Sequence, residues 1–277
     1  MTQEVSFLIV IPTLNSFHKL ERFRKSIITQ DYNNWRVIFV DGDSDKEHKD
    51  WLNSCVELDK RFQIYFENNE IRGIYPSMSF GAEFANENEW IIFLGSDDWF
   101  SSDNSLSYIA KEISFNFEEI EQKLIICGTQ FLENKTNSVL RINNVPNFKS
   151  ISNKNLANLV FLGYVPTHQS LCFSGNLLKQ LMPYSTKYHL AADSQLILKM
   201  LTLENFNIIF INKILINIEA GGLSSKFLFK RIKEVLKIYL NYFKLIFFIP
   251  FTLRYLNKTF SRIKIMYELK KIINLLK

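Results

Sequence analysis

Residues 90–100 read Trp-Ile-Ile-Phe-Leu-Gly-Ser-Asp-Asp-Trp-Phe, and the fold turns on how this stretch is understood. An unbroken apolar run from Trp90 to Leu94 stops at Gly95-Ser96-Asp97-Asp98. A short apolar run bounded by a turn signal reads as a strand buried on both faces, as strands of parallel sheets are. In open α/β sheets, ligands sit past the carboxyl ends of the strands, which is where Asp97 and Asp98 fall. Adjacent acids repel each other unless a cation or hydrogen-bond donors offset their charge. A hard divalent cation, held by one or two carboxylates and by substrate phosphates, meets that need. A turn whose acids cap a helix is the plain alternative.

Upstream, the same grammar repeats. Val5–Ile11 is a strand that Pro12 ends, and Thr13-Leu14-Asn15-Ser16 is a polar turn with Ser16 as N-cap of a helix to about Gln30. Trp35–Val40 is a second strand that runs into Asp41-Gly42-Asp43-Ser44-Asp45. A helix over Lys46–Leu58, a strand over Phe62–Phe66 and a helix over Tyr75–Asn86 lead to the Trp90 strand. This βαβαβαβ order predicts an α/β fold, a mainly parallel sheet between helices with right-handed crossovers. It places the Thr13, Asp41 and Asp97/Asp98 turns on one edge.

Downstream the pattern is more mixed. A helix is expected over Asp103–Gln122, strands over Leu124–Gly128 and Val139–Ile142, a helix over Asn153–Phe161 and a strand over Leu171–Phe173. An amphipathic helix over Ala191–Leu203 carries Asp193 in its first turn. Phe206–Ile211 and Ile214–Ile218 read as a strand pair, followed by Gly221-Gly222.

Charge divides the chain of 277 residues in two. Residues 226–277 hold 13 Lys+Arg against 2 Asp+Glu, whereas residues 1–225 hold 20 against 26. An acidic body with a basic tail points to an anionic partner for the tail. In that tail Phe227, Phe229, Ile232, Val235, Leu236, Tyr239 and Leu240 interleave with Lys230, Arg231, Lys233 and Lys237, a spacing that gives a helix with apolar and basic faces. Such helices lie in membrane interfaces. Packing on the domain, or on a second subunit to make a homo-oligomer, is the alternative. No nucleic-acid-binding motif accompanies the charge. Cys55, Cys127 and Cys172 are odd in number and far apart, which fits a reducing cytosol better than a disulfide framework. The start lacks signal-peptide features, and no run reaches the roughly 18–20 apolar residues of a membrane span.

Two common nucleotide-binding devices are missing: the first turn is no Gly-x-Gly-x-x-Gly, and no Gly-x-x-x-x-Gly-Lys-Ser/Thr occurs. A metal held by carboxylates could take the place of such a cradle, an expectation that Asp97 and Asp98 can meet. With those features in view, the chain resembles family 2 glycosyltransferases of the GT-A fold over about residues 4–225. Ile9-Val10-Ile11-Pro12-Thr13-Leu14-Asn15 is similar to that family's opening strand and turn, Val40-Asp41-Gly42-Asp43-Ser44 to its Asp-Gly-Gly-Ser-type turn, and Ser96-Asp97-Asp98 to its metal-binding Asp-x-Asp variant. Gly73-Ile74-Tyr75 with Met78, His168-Gln169-Ser170, Ala191-Ala192-Asp193 and Gly221-Gly222-Leu223-Ser224 resemble motifs of its bacterial surface-polysaccharide members, the O-antigen, capsule and colanic-acid type.

The resemblance implies a metal-dependent, inverting glycosyltransferase of the hexosyltransferase type. Its donor is a nucleotide-sugar, by preference a UDP-sugar, and its acceptor a lipid-linked glycan on the cytoplasmic face of the membrane. Domain 1–225 would catalyse, and 226–277 would associate peripherally with the membrane or oligomerise. Thr13, Asn15, Asp41 and Asp97 would bind the nucleotide-sugar, Asp98 would hold Mn²⁺ or Mg²⁺, and Asp193 would be the general base. His168, Tyr75 and Trp99 would touch the acceptor, the diphosphate or the sugar. Taken alone, each residue has a rival reading: Asp193 as an acid favouring a helix dipole, His168 as a hydrogen-bonded structural histidine, Asp41 as a turn residue, Tyr75 and Trp99 as core. Asp43 stands where the family has glycine, no Thr precedes Asp45, and Pro76-Ser77 replaces Asp-Ala. An inactive nucleotide-sugar-binding scaffold is the competing class. A sugar nucleotidyltransferase would want a basic Gly-rich loop after the first strand, which is absent.

Overall fold

In the computed structural model the Trp90 run is the core of strand β4 (Glu89–Phe93). Residues 4–66, 73–115, 123–147, 149–203, 206–222 and 226–259 are described. Before β4 come β1 (Ser6–Thr13), α1 (Phe17–Ile28), β2 (Trp35–Asp41), α2 (Lys46–Leu58), β3 (Phe62–Phe66) and α3 (Ile74–Ala82). After it come β5 (Asp98–Phe100), α4 (Ser105–Phe115), β6 (Lys123–Leu132), β7 (Val139–Asn143), β8 (Ser150–Ser152), α5 (Asn153–Phe161) and β9 (Leu171–Ser174). The chain continues through α6 (Gly175–Leu181), α7 (Ala192–Met200), β10 (Asn207–Glu219), α8 (Leu228–Phe243) and a helix over 248–259.

The sheet runs β3-β2-β1-β4-β9-β6-β10-β5, with β7 added to β6 and β8 to β10. The first four strands in that order pair in parallel, as the βα alternation predicts. β9 then enters antiparallel between β4 and β6, and β10 pairs parallel with β6. Both faces are covered. On β1, Leu8 and Val10 join one core with α3, α6, α7 and α8, while Phe7, Ile9 and Ile11 join the other with α1, α2 and α4. On β4, Ile91 and Phe93 face the first core, and Trp90 and Ile92 the second. Two-sided burial explains why these strands are unbroken apolar runs. The three cysteines are buried and free.

Three expectations are corrected. Pro12 does not end β1, which continues to Thr13. Val10 points its carbonyl at β4, where Leu94 N–H meets it. Pro12 shares that direction, but β4 pairs with β1 only as far as Val10, so the missing N–H leaves no ladder position empty. The two apolar segments after Phe206 are one long strand rather than a pair. Asn212 and Lys213 form an irregularity in β10, with register shifts against β6 between Ile211 and Ile216. Asp98 is not merely in a turn: Asp98–Phe100 forms β5 and pairs antiparallel with Ile216–Ile218 of β10. The expected helix to Gln122 is described to Phe115; residues 116–122, Leu223-Ser224 and the end of the tail from 260 lie outside the described residues.

The tail is joined to the domain. On α8, Val235, Ile238 and Tyr239 are buried in the core that holds α7. The opposite side exposes Phe229, Lys230, Lys233, Leu236, Lys237 and Leu240. The expected division into apolar and basic faces is thus a division into a buried face and an outward face that mixes both. No helix among the described residues is long and apolar enough to cross a membrane.

Candidate active site

The carboxyl ends of β1 and β2 form the first part of the site. Asp41, the last residue of β2, is fully buried. Its Oδ1 accepts from Thr13 Oγ1 at 3.0 Å and Ser44 Oγ at 2.6 Å, and its Oδ2 from the Ser44 N–H at 2.9 Å. His48 Nδ1 accepts from the Ser16 N–H, so Nε2 carries the proton and faces Asp41 Oδ1 at 3.3 Å, off the line of a full hydrogen bond. Burial alone would raise the Asp41 pKa; His48, Ser44 and Thr13 outweigh it and bring it to about 2. Asn15 joins the same corner: its N–H donates to Ser44 Oγ at 2.9 Å and its Oδ1 accepts from the Asp45 N–H at 2.8 Å. Asp43, where glycine is usual in similar turns, adopts a φ of 63°. Asp tolerates this left-handed conformation better than most residues.

Asp97 and Asp98 are neighbours in sequence with opposite surroundings. Asp97 is half-buried, and its Oδ2 lies 3.7 Å from Lys19 Nζ. Asp98 is buried; its Oδ2 accepts from the Gly95 N–H, and its Oδ1 has no hydrogen-bond partner among the described residues. Burial first, then the Asp97 charge, push the Asp98 pKa well above the ordinary carboxylate range. The Gly95 N–H, the nearby Gln169 side chain and Lys19 pull the other way. Gly95 has a steric reason: a Cβ there would stand 2.8 Å from Asp97 Oδ1 and 3.0 Å from Asp98 Oδ2. The two carboxylates therefore close around a residue without a side chain. Their donor set suits a hard cation that takes its other ligands from water and phosphate oxygens. Among the described residues no cluster of three His, Cys, Asp or Glu side chains exists.

Lys19, Arg22 and Glu219 adjoin this turn, and sequence reasoning did not single them out. Glu219, buried at the end of β10, accepts from Lys19 Nζ at 2.8 Å and from Arg22. The Arg22 guanidinium lies over the Trp99 ring, 4.3 Å from its centroid. The Glu219 N–H donates to the Asp97 carbonyl, and a Cβ on Gly222 would come 3.3 Å from Asp97 Oδ2. Lys19 and Arg22 sit three apart on α1, away from its buried Leu20, Phe23 and Ile27. That spacing was a usable signal; the 200 residues between Lys19 and Glu219 gave none.

The third part centres on Asp193, in the first turn of α7. Its Oδ1 accepts from the Ser194 N–H at 2.7 Å and from the Tyr75 hydroxyl at 3.2 Å. Tyr75 packs on Tyr184 at 5.3 Å between centroids, and Tyr184 shares a hydrogen bond with His168 Nε2. His168 also stacks on Phe93 of β4, at 5.6 Å. Burial lowers the His168 pKa, with the Asp193 charge pulling it up. Burial and then Asp193 raise both tyrosines well above 10. His168 is therefore neutral near pH 7 and held by its neighbours. Tyr184, unremarked in the sequence, links it to Tyr75. Within one short turn His168 faces the Asp193 group, while Gln169 reaches toward Asp98. Asp98 lies near Gln169 of that turn, and Asp193 is linked to its His168 through Tyr75 and Tyr184.

This sheet, with acids past the central parallel strands and a further acid at a helix start beside them, is the GT-A glycosyltransferase architecture. S. aureus TarS in complex with UDP superposes with a TM-score of 0.62 over 93% of this chain and 72% of that one, at 16% identity. Mannosyltransferase PcManGT from Pyrobaculum calidifontis, in complex with GDP-Man and Mn²⁺, gives 0.62 over 91% and 70%, at 14% identity. Residues 8–160 match the sequence profile of Glycosyl transferase family 2, more than half of the chain, and the chain belongs to that family. The matched region contains Thr13, Asp41, Asp97 and Asp98 and ends before His168 and Asp193. A PGL/p-HBAD biosynthesis glycosyltransferase of Mycobacterium bovis BCG is 27% identical over 188 residues, 68% of this chain and 66% of that protein. The chain thus spans just under two thirds of that relative's length. An uncharacterized glycosyltransferase of Haemophilus influenzae is 27% identical over 107 residues, 39% of this chain and 40% of that protein.

Proposed function

We propose that this glycosyltransferase moves a sugar, with inversion, from a nucleotide-sugar to a lipid-linked glycan in the biosynthesis of a bacterial surface polysaccharide. The observation that carries this reading is the buried Asp98 carboxylate just past the parallel strand β4, with one oxygen unpartnered among the described residues. A carboxylate in that condition wants a cation, and a cation beside a parallel-sheet edge suits a diphosphate. The structures with UDP, UDP-GlcNAc, and GDP-Man with Mn²⁺ belong to proteins that share the fold. UDP-sugars are the favoured donors.

In this reading Thr13, Asn15 and Asp41 shape the corner that takes the nucleoside, and Asp97 faces the ribose or the sugar. Mn²⁺ or Mg²⁺ held by Asp98 would supply Lewis-acid charge to the departing diphosphate. Asp193 takes the proton of the acceptor hydroxyl as that oxygen bonds to the anomeric carbon. The bond from that carbon to the phosphate oxygen breaks, and its electron pair leaves with the nucleoside diphosphate. General-base help of this kind is worth about 10²–10⁴-fold. His168, Tyr75 and Trp99 line the sugar or acceptor side. The outward face of α8 and the exposed Leu245, Ile246 and Phe248 after it suit a peripheral position on the inner face of an anionic membrane.

The test is heat stability of the protein with UDP, GDP and other nucleotides, with and without Mn²⁺. A shift that needs Mn²⁺ and disappears in Asp98→Ala, with Asp193→Ala keeping the shift but losing sugar transfer, supports the assignment. A nucleotide shift that is the same without metal and in Asp98→Ala would remove the metal role.

A further inference from the structure

The base-bearing turn of α7 is held from the far end of the chain. Ala191, at the N-cap of α7, has no side chain able to cap the helix. The approach to that turn is fixed instead by Glu234, a buried carboxylate on α8. Its Oε2 accepts from the Leu190 N–H at 2.8 Å and its Oε1 from the His189 N–H at 3.3 Å. From the helix over 248–259, Arg254 donates through Nη2 to Ser194 Oγ at 3.0 Å and through Nη1 to the Tyr239 hydroxyl at 3.2 Å. Ser194 is the residue whose N–H binds Asp193 Oδ1. Arg254 is therefore two hydrogen bonds from the carboxylate.

The helix that carries Arg254 is itself seated closely. Gly163, with a φ of 88°, lets its backbone approach: a Cβ there would stand 2.5 Å from the Leu253 carbonyl carbon. Asn257 Nδ2 donates to the Leu162 carbonyl at 3.0 Å. The contacts run from the core through Val235, Ile238 and Tyr239 to the two charged side chains. A buried acid bound at His189 and Leu190 before Asp193 and an arginine bound at Ser194 after it do more than fill space, since nonpolar packing would hold the helices equally well.

The geometry points to Glu234 and Arg254 as positioning residues for Asp193, which makes the C-terminal helical pair part of the catalytic apparatus. The inference rests on Asp193 as the general base. A base must be held within hydrogen-bond reach of the proton it removes, and small displacements of such a group are costly.

The experiment uses full-length Glu234→Gln and Arg254→Gln, with Arg254→Lys as the conservative variant. The probes are UDP-Mn²⁺ binding by heat stability and UDP release from UDP-glucose, UDP-galactose and UDP-GlcNAc, with water standing in for the acceptor. The expected result is a fall of about tenfold or more in the rate of UDP release, with UDP-Mn²⁺ binding and the donor KM unchanged. Arg254→Lys restores part of the rate. In an Asp193→Asn background, neither Gln substitution lowers the residual rate further, because both act through the lost carboxylate. An unchanged rate, a loss that persists in full in Asp193→Asn, or a matching loss of UDP-Mn²⁺ binding overturns the inference. Asp193→Asn alone retaining the full rate instead overturns the assignment of the base, so the two failures are distinguishable.

Discussion

Tyr75 donates its hydroxyl to Asp193 Oδ1 at 3.2 Å, joining a helix packed on β1 and β2 to a carboxylate that arrives 118 residues later. The same ring packs on Tyr184. Tyr75→Phe keeps that packing and removes only the hydroxyl, so the fold should lose no more than about 1 kcal/mol. With one of its two anchors gone, Asp193 should transfer protons less efficiently. Sugar transfer is expected to fall about tenfold at saturating donor, with donor KM unchanged. Steady-state kinetics of the variant checks this; a rise in KM alone would place Tyr75 on the donor instead.

Asp98 is a destabilising residue before anything binds to it. Its raised pKa means that the folded protein resists its ionisation, so stability falls as pH rises from the ordinary carboxylate range toward the folded pKa. Asp98→Asn should remove that pH dependence, so the ligand-free variant gains stability relative to the wild type as pH rises. It should also abolish the effect of Mn²⁺ on nucleotide binding. In the wild type, that effect should strengthen with pH as the cation competes with the proton. Urea unfolding between pH 5 and 8, with and without Mn²⁺, measures both.

Asp41 behaves in the opposite sense. Its pKa is lowered from 3.8 to about 2, so its stabilisation is complete above the unfolded value and is lost as pH falls through about 2. The difference corresponds to roughly 2 kcal/mol. Asp41→Asn should flatten the acid limb of the stability curve between about pH 4 and 2, and Ser44→Ala should move that limb to higher pH. Chemical denaturation across this window is the measurement. An acid limb identical in Asp41→Asn would show that other carboxylates set it.

The outward face of α8 presents Phe229 and Leu236 among Lys230, Lys233 and Lys237, and Leu245 beyond it is 90% exposed. Replacing Phe229 and Leu245 by Ser should leave the fold intact, because neither is buried. It should weaken co-sedimentation with vesicles containing anionic lipid. Lys230→Glu with Lys237→Glu should weaken it further and reduce its salt sensitivity, each cation being worth about 1 kcal/mol near such a surface. Co-sedimentation equal to wild type in all variants would leave this face to a second subunit.

What the sequence determined by itself is local or periodic. The unbroken apolar runs around Val10, Phe39 and Phe93 implied buried parallel strands, because only two-sided burial tolerates such runs. Their order placed Thr13, Asp41 and Asp97/Asp98 on one sheet edge, because βα units alternate in one direction. What tertiary structure decided is non-local. Nothing near Asp98 in the chain says that Asp97 would meet Lys19 while Asp98 would be enclosed, since that difference arises when β5 pairs with β10. Nothing near Asp193 announces Tyr75, Glu234 or Arg254, which reach its helix from 118 residues before it and 41 and 61 residues after it. Periodicity reports which face of an element is buried; it carries no information about which distant polar group meets that face. A carboxylate's charge, donors and reach depend on that meeting.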